Sequence, residues 1–452
     1  MLSRHILHSL LKAIAKPANH ERLRLNQTRW QQLPAALRVP QQAMGRRLVA
    51  CGATHGLMER CNFACTSCYL TEVANTVPPL PFEEVKQQLD TLRRALGPAG
   101  KTQITSGEVT LLPRRELGRI IAYAREIGLI PMVMTHGERF LEESDYLVDL
   151  VRDHGLTNVG IHIDTTQRGR KGLAARVTEA GLHSIRDRFA DLLREVRSTT
   201  GRTLHAAHTM TVTRDNIRDI PSVVRWVLDN VDAFRILSLQ PSAQVGRTID
   251  EAQLEITLGE VWEQVCDGIA IPLEREAIQF GHRECTIICP MIVVTYAGRR
   301  QIVESVRRGN AWDKRVAGRI MEVFGGIVID DTSPLERLLR IASLLLRNPR
   351  FAIEASIYAP YRLWGIRRWL LSACANLRTL RFSAFAIVVH KFMSNQELDT
   401  PLGRERLQVC AFKVPVDGEM VSMCEVNATD LRRSLNDEAR GASEPLRLIR
   451  TG

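Results

Sequence analysis

No stretch of this 452-residue chain reaches the roughly 18 uninterrupted apolar residues of a membrane span, so no segment is expected to cross a bilayer. No secretory signal is expected, because Arg4 and Lys12 interrupt the apolar start where a signal peptide needs an unbroken centre. Aromatic residues make up only 5% of the chain, which leaves little of the stacking surface that nucleic-acid readers interleave with their basic residues. Acids are scarce in two places. Residues 1-50 hold nine Lys/Arg against Glu21 alone, and residues 337-391 hold ten against Glu354 alone. With a net charge of +11 overall, the rest of the chain is net acidic. Basic flanks on an acidic body imply docking onto something anionic, lipid head groups or nucleic acid. The shortage of aromatics favours an anionic membrane surface, and no nucleic-acid partner is expected.

What is present centres on Cys61-Asn62-Phe63-Ala64-Cys65-Thr66-Ser67-Cys68. Three thiols spaced C-x3-C-x2-C can hold one face of a metal cluster, yet they leave a position open where four-thiolate clusters and structural zinc leave none. The bland alternative is a zinc ion on the same three thiols with His55 as fourth ligand. Ten cysteines in a large chain without a signal, three of them at metal spacing, point to a reducing compartment. The protein is expected to be cytoplasmic, resting on the inner membrane face.

The loop resembles that of the radical S-adenosylmethionine (radical SAM) superfamily. That resemblance implies a [4Fe-4S] cluster on Cys61, Cys65 and Cys68, with S-adenosylmethionine at the open iron. It implies reductive cleavage to a 5′-deoxyadenosyl radical that takes a hydrogen atom from the substrate, with electrons from a donor such as a flavodoxin or ferredoxin. Where the family often has an aromatic residue before the third cysteine, this chain has Ser67.

Further along, strands are expected at 53-58, 102-106, 131-135, 157-163, 204-212 and 234-239. Helices are expected near 82-97, 113-127, 139-154, 180-199 and 215-230. Alternating strands and helices predict an α/β fold with a parallel sheet, and six such units match the partial (β/α)6 TIM-like barrel of the resembled family. Chemistry in such barrels collects at the C-terminal strand ends. After the second strand, Ser106-Gly107-Glu108 resembles the family's Gly-Gly-Glu motif, which implies that these residues hold the methionyl amine. Thr135-His136-Gly137 resembles its Thr-Asn-Gly turn. Asp164, sharing a strand face with His162, either binds the nucleotide's ribose or caps the following segment. The run Gln167-Arg168-Gly169-Arg170-Lys171 over the same mouth either holds a carboxylate or phosphate or is a solvated charge run. His205 and His208 read as satisfied core groups.

Three units are expected: a basic amphipathic N-terminal segment at 1-50, with a helix over residues 1-16; the barrel at 51-250; and an α+β extension at 251-452. In the extension, Asp417-Gly418 between apolar runs predicts a hairpin that brings Cys410 and Cys424 together. With Cys285 and Cys289 they would form an auxiliary iron–sulfur cluster or zinc site, or else stay buried free thiols. Cys51, Cys266 and Cys374 read as packing residues. This part resembles the branch that includes radical methylases and tetraether lipid synthases, which implies C-methylation or C–C coupling at an unactivated carbon of a lipid or other hydrophobic substrate. Basic apolar helices are expected within 333-392, as membrane contacts or as a cap over a greasy substrate. Two other readings stand beside this one: a radical SAM enzyme acting on a peptide or protein, and a non-enzymatic, zinc-stabilised membrane- or nucleic-acid-binding protein.

Overall fold

The computed structural model describes residues 13–172, 177–248, 255–328, 334–367, 371 and 380–441. Most of the N-terminal helix expected over 1-16 lies outside these residues, as does Cys374; residues 13–15 are helical. The strands are β1 (Cys51–Ala53), β2 (Lys101–Ile104), β3 (Ile130–Thr135), β4 (Asn158–His162), β5 (His205–Val212), β6 (Phe234–Pro241), β7 (Thr286–Tyr296), β8 (Arg299–Glu304), β9 (Arg381–His390), β10 (Phe412–Val416) and β11 (Glu419–Ser422). They join one sheet in the order β11-β10-β1-β2-β3-β4-β5-β6-β9-β7-β8. From β10 to β9 every neighbouring pair is parallel. The fold is therefore mixed α/β with β1 to β6 side by side in chain order, as the alternating pattern predicts.

The sheet stays unclosed. Its parallel part ends at β9 and β10, which do not pair, and His390, Phe392 and Phe412 fill the seam with ring centroids 4.6 to 6.1 Å apart. The hairpins β7-β8 and β10-β11 add antiparallel strands at the two edges, each turned by a residue pair at positive φ, Ala297-Gly298 and Asp417-Gly418.

Helices cover the sheet. In chain order they are α1 (His20–Gln32), α2 (Phe82–Leu96), α3 (Arg114–Glu126), α4 (Glu138–Glu142), α5 (Ser144–Arg152), α6 (His183–Thr200), α7 (Ile220–Asp229) and α8 (Leu258–Ile269). The later ones are α9 (Ala311–Phe324), α10 (Pro334–Arg347), α11 (Pro349–Trp364), α12 (Asn395–Leu398), α13 (Pro401–Gln408), α14 (Met423–Ala428) and α15 (Leu431–Ala439). α2 shows why such segments fold as they do. Val85, Leu89, Leu92 and Leu96 recur at helical spacing and are buried, Glu83 and Glu84 lie at the positive N-terminal end, and Gly97 at φ +75° stops the helix. These residues join the main core between sheet and helices.

Two expectations are corrected. The first strand ends at Ala53 rather than at 58, because Thr54 turns its hydroxyl into the ladder. Its Oγ1 donates to Thr105 O and accepts from Thr105 N, and Gly56 at φ +66° then turns the chain aside. Within 333-392, where helices were expected, Arg381–His390 is a strand lying parallel to β6 and antiparallel to β7. Its run Phe385-Ala386-Ile387-Val388-Val389 ends in three β-branched residues and alternates between buried and half-buried, which suits a sheet better than a helix. The sheet thus draws strands from both sides of residue 250.

Candidate functional site

The loop after β1 is held open by bonds to its surroundings. Cys61 N donates to Asn75 Oδ1 (3.0 Å) and Cys68 N to Thr248 Oγ1 (3.1 Å), while Ala64 N and Thr66 N donate to the carbonyls of Arg168 and Thr166 (2.9 Å each). All three cysteines are half-buried free thiols. Phe63 stacks on His136 with ring centroids 3.7 Å apart, fastening the loop to the end of β3. Among the described residues no three of His, Cys, Asp or Glu are grouped as ligands of one metal ion. His55 takes the backbone of Pro415 as partner and lies among Arg432, Glu59 and Asp417.

Burial pushes the Cys61 thiol up to about 12 and the Cys65 thiol well above its ordinary value, and neighbouring thiols add to both rises. The set ionises together only if positive charge arrives beside it. Arg247 supplies part of that charge. Burial works against its cation, but the adjacent Cys68 outweighs this and holds its pKa above the ordinary value. Arg247 Nη2 donates to Phe63 O (3.3 Å), while its Nε is buried without a partner.

At the end of β2, Gly107 at φ +63° lies so close to the loop that a Cβ would sit 2.0 Å from Met58 O and 2.6 Å from Arg60 O. Only glycine fits there. Ser106 and Glu108 are each 1% exposed and bonded to the chain's own groups. Glu108 accepts from Thr110, from the Thr135 hydroxyl, and from His136 N (2.9 Å), with His136 Nε2 3.2 Å away. His136 Nδ1 accepts from Glu138 N (3.2 Å), which leaves Nε2 as the N–H donor facing Asn62 Oδ1 (2.8 Å) and Glu108. Burial lowers the His136 pKa against the opposing pull of Glu108, which favours the neutral ring.

Ser106 donates to Glu59, and Glu59 Oε1 also meets Arg432 Nη1 at 2.6 Å in a salt bridge that is 1% and 5% exposed at its two side chains. Glu59 Oε2 is buried with no partner and offers an open acceptor. Arg432 on α15 bonds Asn427 Oδ1 (2.9 Å) and lies over the Tyr69 ring, so a C-terminal helix locks the Ser106-Gly107-Glu108 loop.

At the end of β4, Asp164 is saturated. Thr166 N (2.8 Å), the Thr166 hydroxyl, Thr211 N (2.6 Å) and His162 Nε2 surround its carboxylate. Burial would raise its pKa, but His162 and these donors hold it well below the usual range. The structure thus places Asp164 in the turn-capping arrangement. Arg170 differs. It is 7% exposed, its Nη2 bonds His136 O (2.9 Å) and Gln167 Oε1 (2.8 Å), and its Nε and Nη1 have no partner. It lies over Phe63 at 5.1 Å, and burial lowers its pKa against the opposing pull of Glu138, Asp164 and Glu108. A buried guanidinium with open donors fits a carboxylate-bearing ligand. Arg168 and Lys171 of the same run are exposed. His208 is a core group that accepts from Arg186 Nε at 2.9 Å.

The four later cysteines do not assemble as one set. Cys285, Cys410 and Cys424 are buried near one another, with Arg406 Nε donating to Cys285 Sγ (3.2 Å) and the Ser422 hydroxyl to Cys410 Sγ (3.1 Å). Cys289 lies apart in the main core, its nearest titratable neighbours being Cys266, Glu304 and Glu274. The reason is extended backbone. Four residues along a strand separate two thiols by about 13 Å, whereas the same spacing in a turned loop brings them round a point.

Residues 57–227 match the sequence model of the Radical SAM superfamily. That segment, well under half of the chain, is similar to the radical SAM superfamily. The chain is 25% identical over 43% of its length to a 7,8-dihydro-6-hydroxymethylpterin dimethyltransferase of Methanocaldococcus jannaschii, covering 37% of that protein. It is 26% identical over 37% of its length to an Fe-coproporphyrin III synthase of Methanosarcina barkeri, covering 38% of that protein. The chain thus spans well under half the length of these curated relatives. A solved structure described as native anSMEcpe with bound AdoMet and Cp18Cys peptide shares 12% identity over 49% of this chain and 58% of that one, at a slight TM-score of 0.36.

The residues present fit the cofactors the family implies. Three thiols sit on one pinned loop, a cation lies beside them, and open donors on Arg170 and an open acceptor on Glu59 flank the same strand ends. Arg247 and the Glu59–Arg432 pair went unassigned in the sequence, whereas Arg170 was singled out there only as part of the basic run 167-171. Glu59, an acid in an apolar run two residues before the first cysteine, was the readable signal for the pair.

Proposed function

We propose that this protein cleaves S-adenosylmethionine reductively at a [4Fe-4S] cluster held by Cys61, Cys65 and Cys68, and uses the product to take hydrogen from an unactivated carbon. The observation that carries the reading is the pinned three-thiol loop with unpaired buried donors of Arg170 beside it. The cluster, when bound, supplies the electron that breaks the nucleotide's carbon–sulfur bond. The chain's own residues do the rest. Arg247 offsets thiolate charge, Gly107 lets the second strand end approach the loop, and Arg170 orients a carboxylate. Neutral His136 holds Asn62 and Glu108 in place.

C-methylation or C–C coupling is the proposed outcome, a reading to which the methyltransferase relative lends support. A cleft of about 350 Å³ beside Tyr69 and Thr248 is walled by polar groups including Thr71, Asn427, Arg432 and Arg433, and so suits a hydrogen-bonding moiety rather than hydrocarbon. The proposal of a hydrophobic substrate therefore rests on the apolar helices α10 and α11. The test is 5′-deoxyadenosine release by anaerobically reconstituted protein given a reductant. Release that depends on all three cysteines is expected; none from protein carrying a full cluster would overturn the reading.

A further inference from the structure

α10 and α11 form a helical pair joined at Asn348, each with one face packed inward. On α10, Ser343 and Leu344 are buried, with the Ser343 hydroxyl donating to Ile14 O (2.7 Å). On α11, Phe351 is buried against Phe324. The opposite faces are apolar and exposed. On α10, Leu335, Leu338, Ala342 and Leu346 recur at intervals of three and four residues, Leu338 being 62% and Leu346 82% exposed. On α11, Ile353, Ile357, Tyr361 and Trp364 do the same, with Trp364 64% exposed. Two adjacent helices with outward apolar stripes exceed the scattered exposed leucine of an ordinary surface.

The acids of both helices are paired with arginines. Glu354 is paired with Arg319 (2.8 Å) and Glu336 faces Arg340 (3.9 Å), so both acids are engaged. Arg350 is exposed at the start of α11, and Arg367 lies over the Trp364 ring at 4.5 Å. Leucine and isoleucine on one stripe, tryptophan at its end and arginine at the margins suit helices lying in a lipid interface. No described helix is long and apolar enough to cross a membrane.

We propose that α10 and α11 dock this protein onto an anionic lipid surface, with the two apolar stripes in the interface and the arginines on head-group phosphates. The proposal goes beyond the chemistry at the cysteine loop and stands or falls apart from it. The test is sedimentation of the full-length protein with vesicles of phosphatidylglycerol and phosphatidylcholine, or of phosphatidylcholine alone. Wild type binds the anionic vesicles more tightly, and added salt weakens the binding. Leu338→Glu/Leu346→Glu/Ile357→Glu lowers the partition constant roughly tenfold or more for each apolar side chain withdrawn. Its thermal midpoint and iron content stay at wild-type values, because these positions are exposed. Arg350→Glu/Arg367→Glu weakens binding to the anionic vesicles and leaves binding to neutral ones unchanged. Wild type left in the supernatant with anionic vesicles, or a triple variant that binds as wild type does, overturns the proposal. A wild-type dimer that the triple variant dissociates, with no vesicle binding, overturns it in favour of a second copy of the chain.

Discussion

Replacing Arg432 by methionine tests how the C-terminal helix α15 is coupled to the strand ends 326 residues earlier at Ser106. The pair Arg432–Glu59 is separated by 2.6 Å and is almost wholly buried, and Ser106 shares it. Removing one partner leaves the Glu59 carboxylate buried and uncompensated, which costs about 3 to 5 kcal/mol. Methionine keeps most of the volume over Tyr69, so the loss is electrostatic rather than a cavity. At roughly 2 °C per kcal/mol for a chain of this size, the unfolding midpoint falls by about 6 to 10 °C. Hydrogen exchange of α15 should quicken with it, as Asn436, bonded to Thr71 Oγ1 at 2.7 Å, loses its anchor. Glu59→Gln/Arg432→Met removes the stranded charge and regains a good part of the loss. If the single variant shifts the midpoint by less than about 2 °C, or the double variant adds the two losses, the pair is not the lock described.

Gly107→Ala pays about 1 to 2 kcal/mol for its left-handed backbone and also forces a Cβ onto two carbonyls, so iron retained per chain should drop after identical reconstitution. Gly298→Ala, at φ +72° with nothing within 4 Å, pays only the backbone cost and should keep its iron. Arg170→Met should weaken S-adenosylmethionine binding by about tenfold or more with iron content unchanged, as read by equilibrium dialysis on unreduced protein; unchanged affinity would remove Arg170 from the site. Burial, with Arg432 and Arg406 as secondary causes, lowers His55 and His390 to about 4. Unfolded imidazole titrates near 6.5, so the stability they contribute is complete above about 6.5 and is lost as pH falls through 4. The thermal midpoint should fall across that window, and fall less in His55→Gln/His390→Gln; equal slopes would refute the assignment.

The parallel order β1 to β6 was legible because strand and helix periodicities alternate cleanly, and the hairpin at Asp417-Gly418 because its turn chemistry is local. What was not legible depends on distant partners. The strand over Arg381–His390 was hidden inside a basic stretch whose neighbours are helices, and only its place between β6 and β7 makes it a strand. Cys289 was grouped with Cys285 by spacing and by resemblance, and extended backbone separates them. The partners of Glu59 and the empty donors of Arg170 are properties of packing, which no local pattern carries. Glu108 was singled out in the sequence through its resemblance to a Gly-Gly-Glu motif. That its carboxylate would be taken up by Thr110, Thr135 and His136 was not.

Cys61, Cys65 and Cys68 are proposed to hold an iron–sulfur cluster. Iron, sulfide and zinc should be measured on anaerobically purified and reconstituted protein, wild type beside Cys61→Ala/Cys65→Ala/Cys68→Ala. Loss of about four irons and their sulfide with the triple substitution is the predicted result. Stoichiometric zinc without iron in the wild type, reconstitution included, would contradict it.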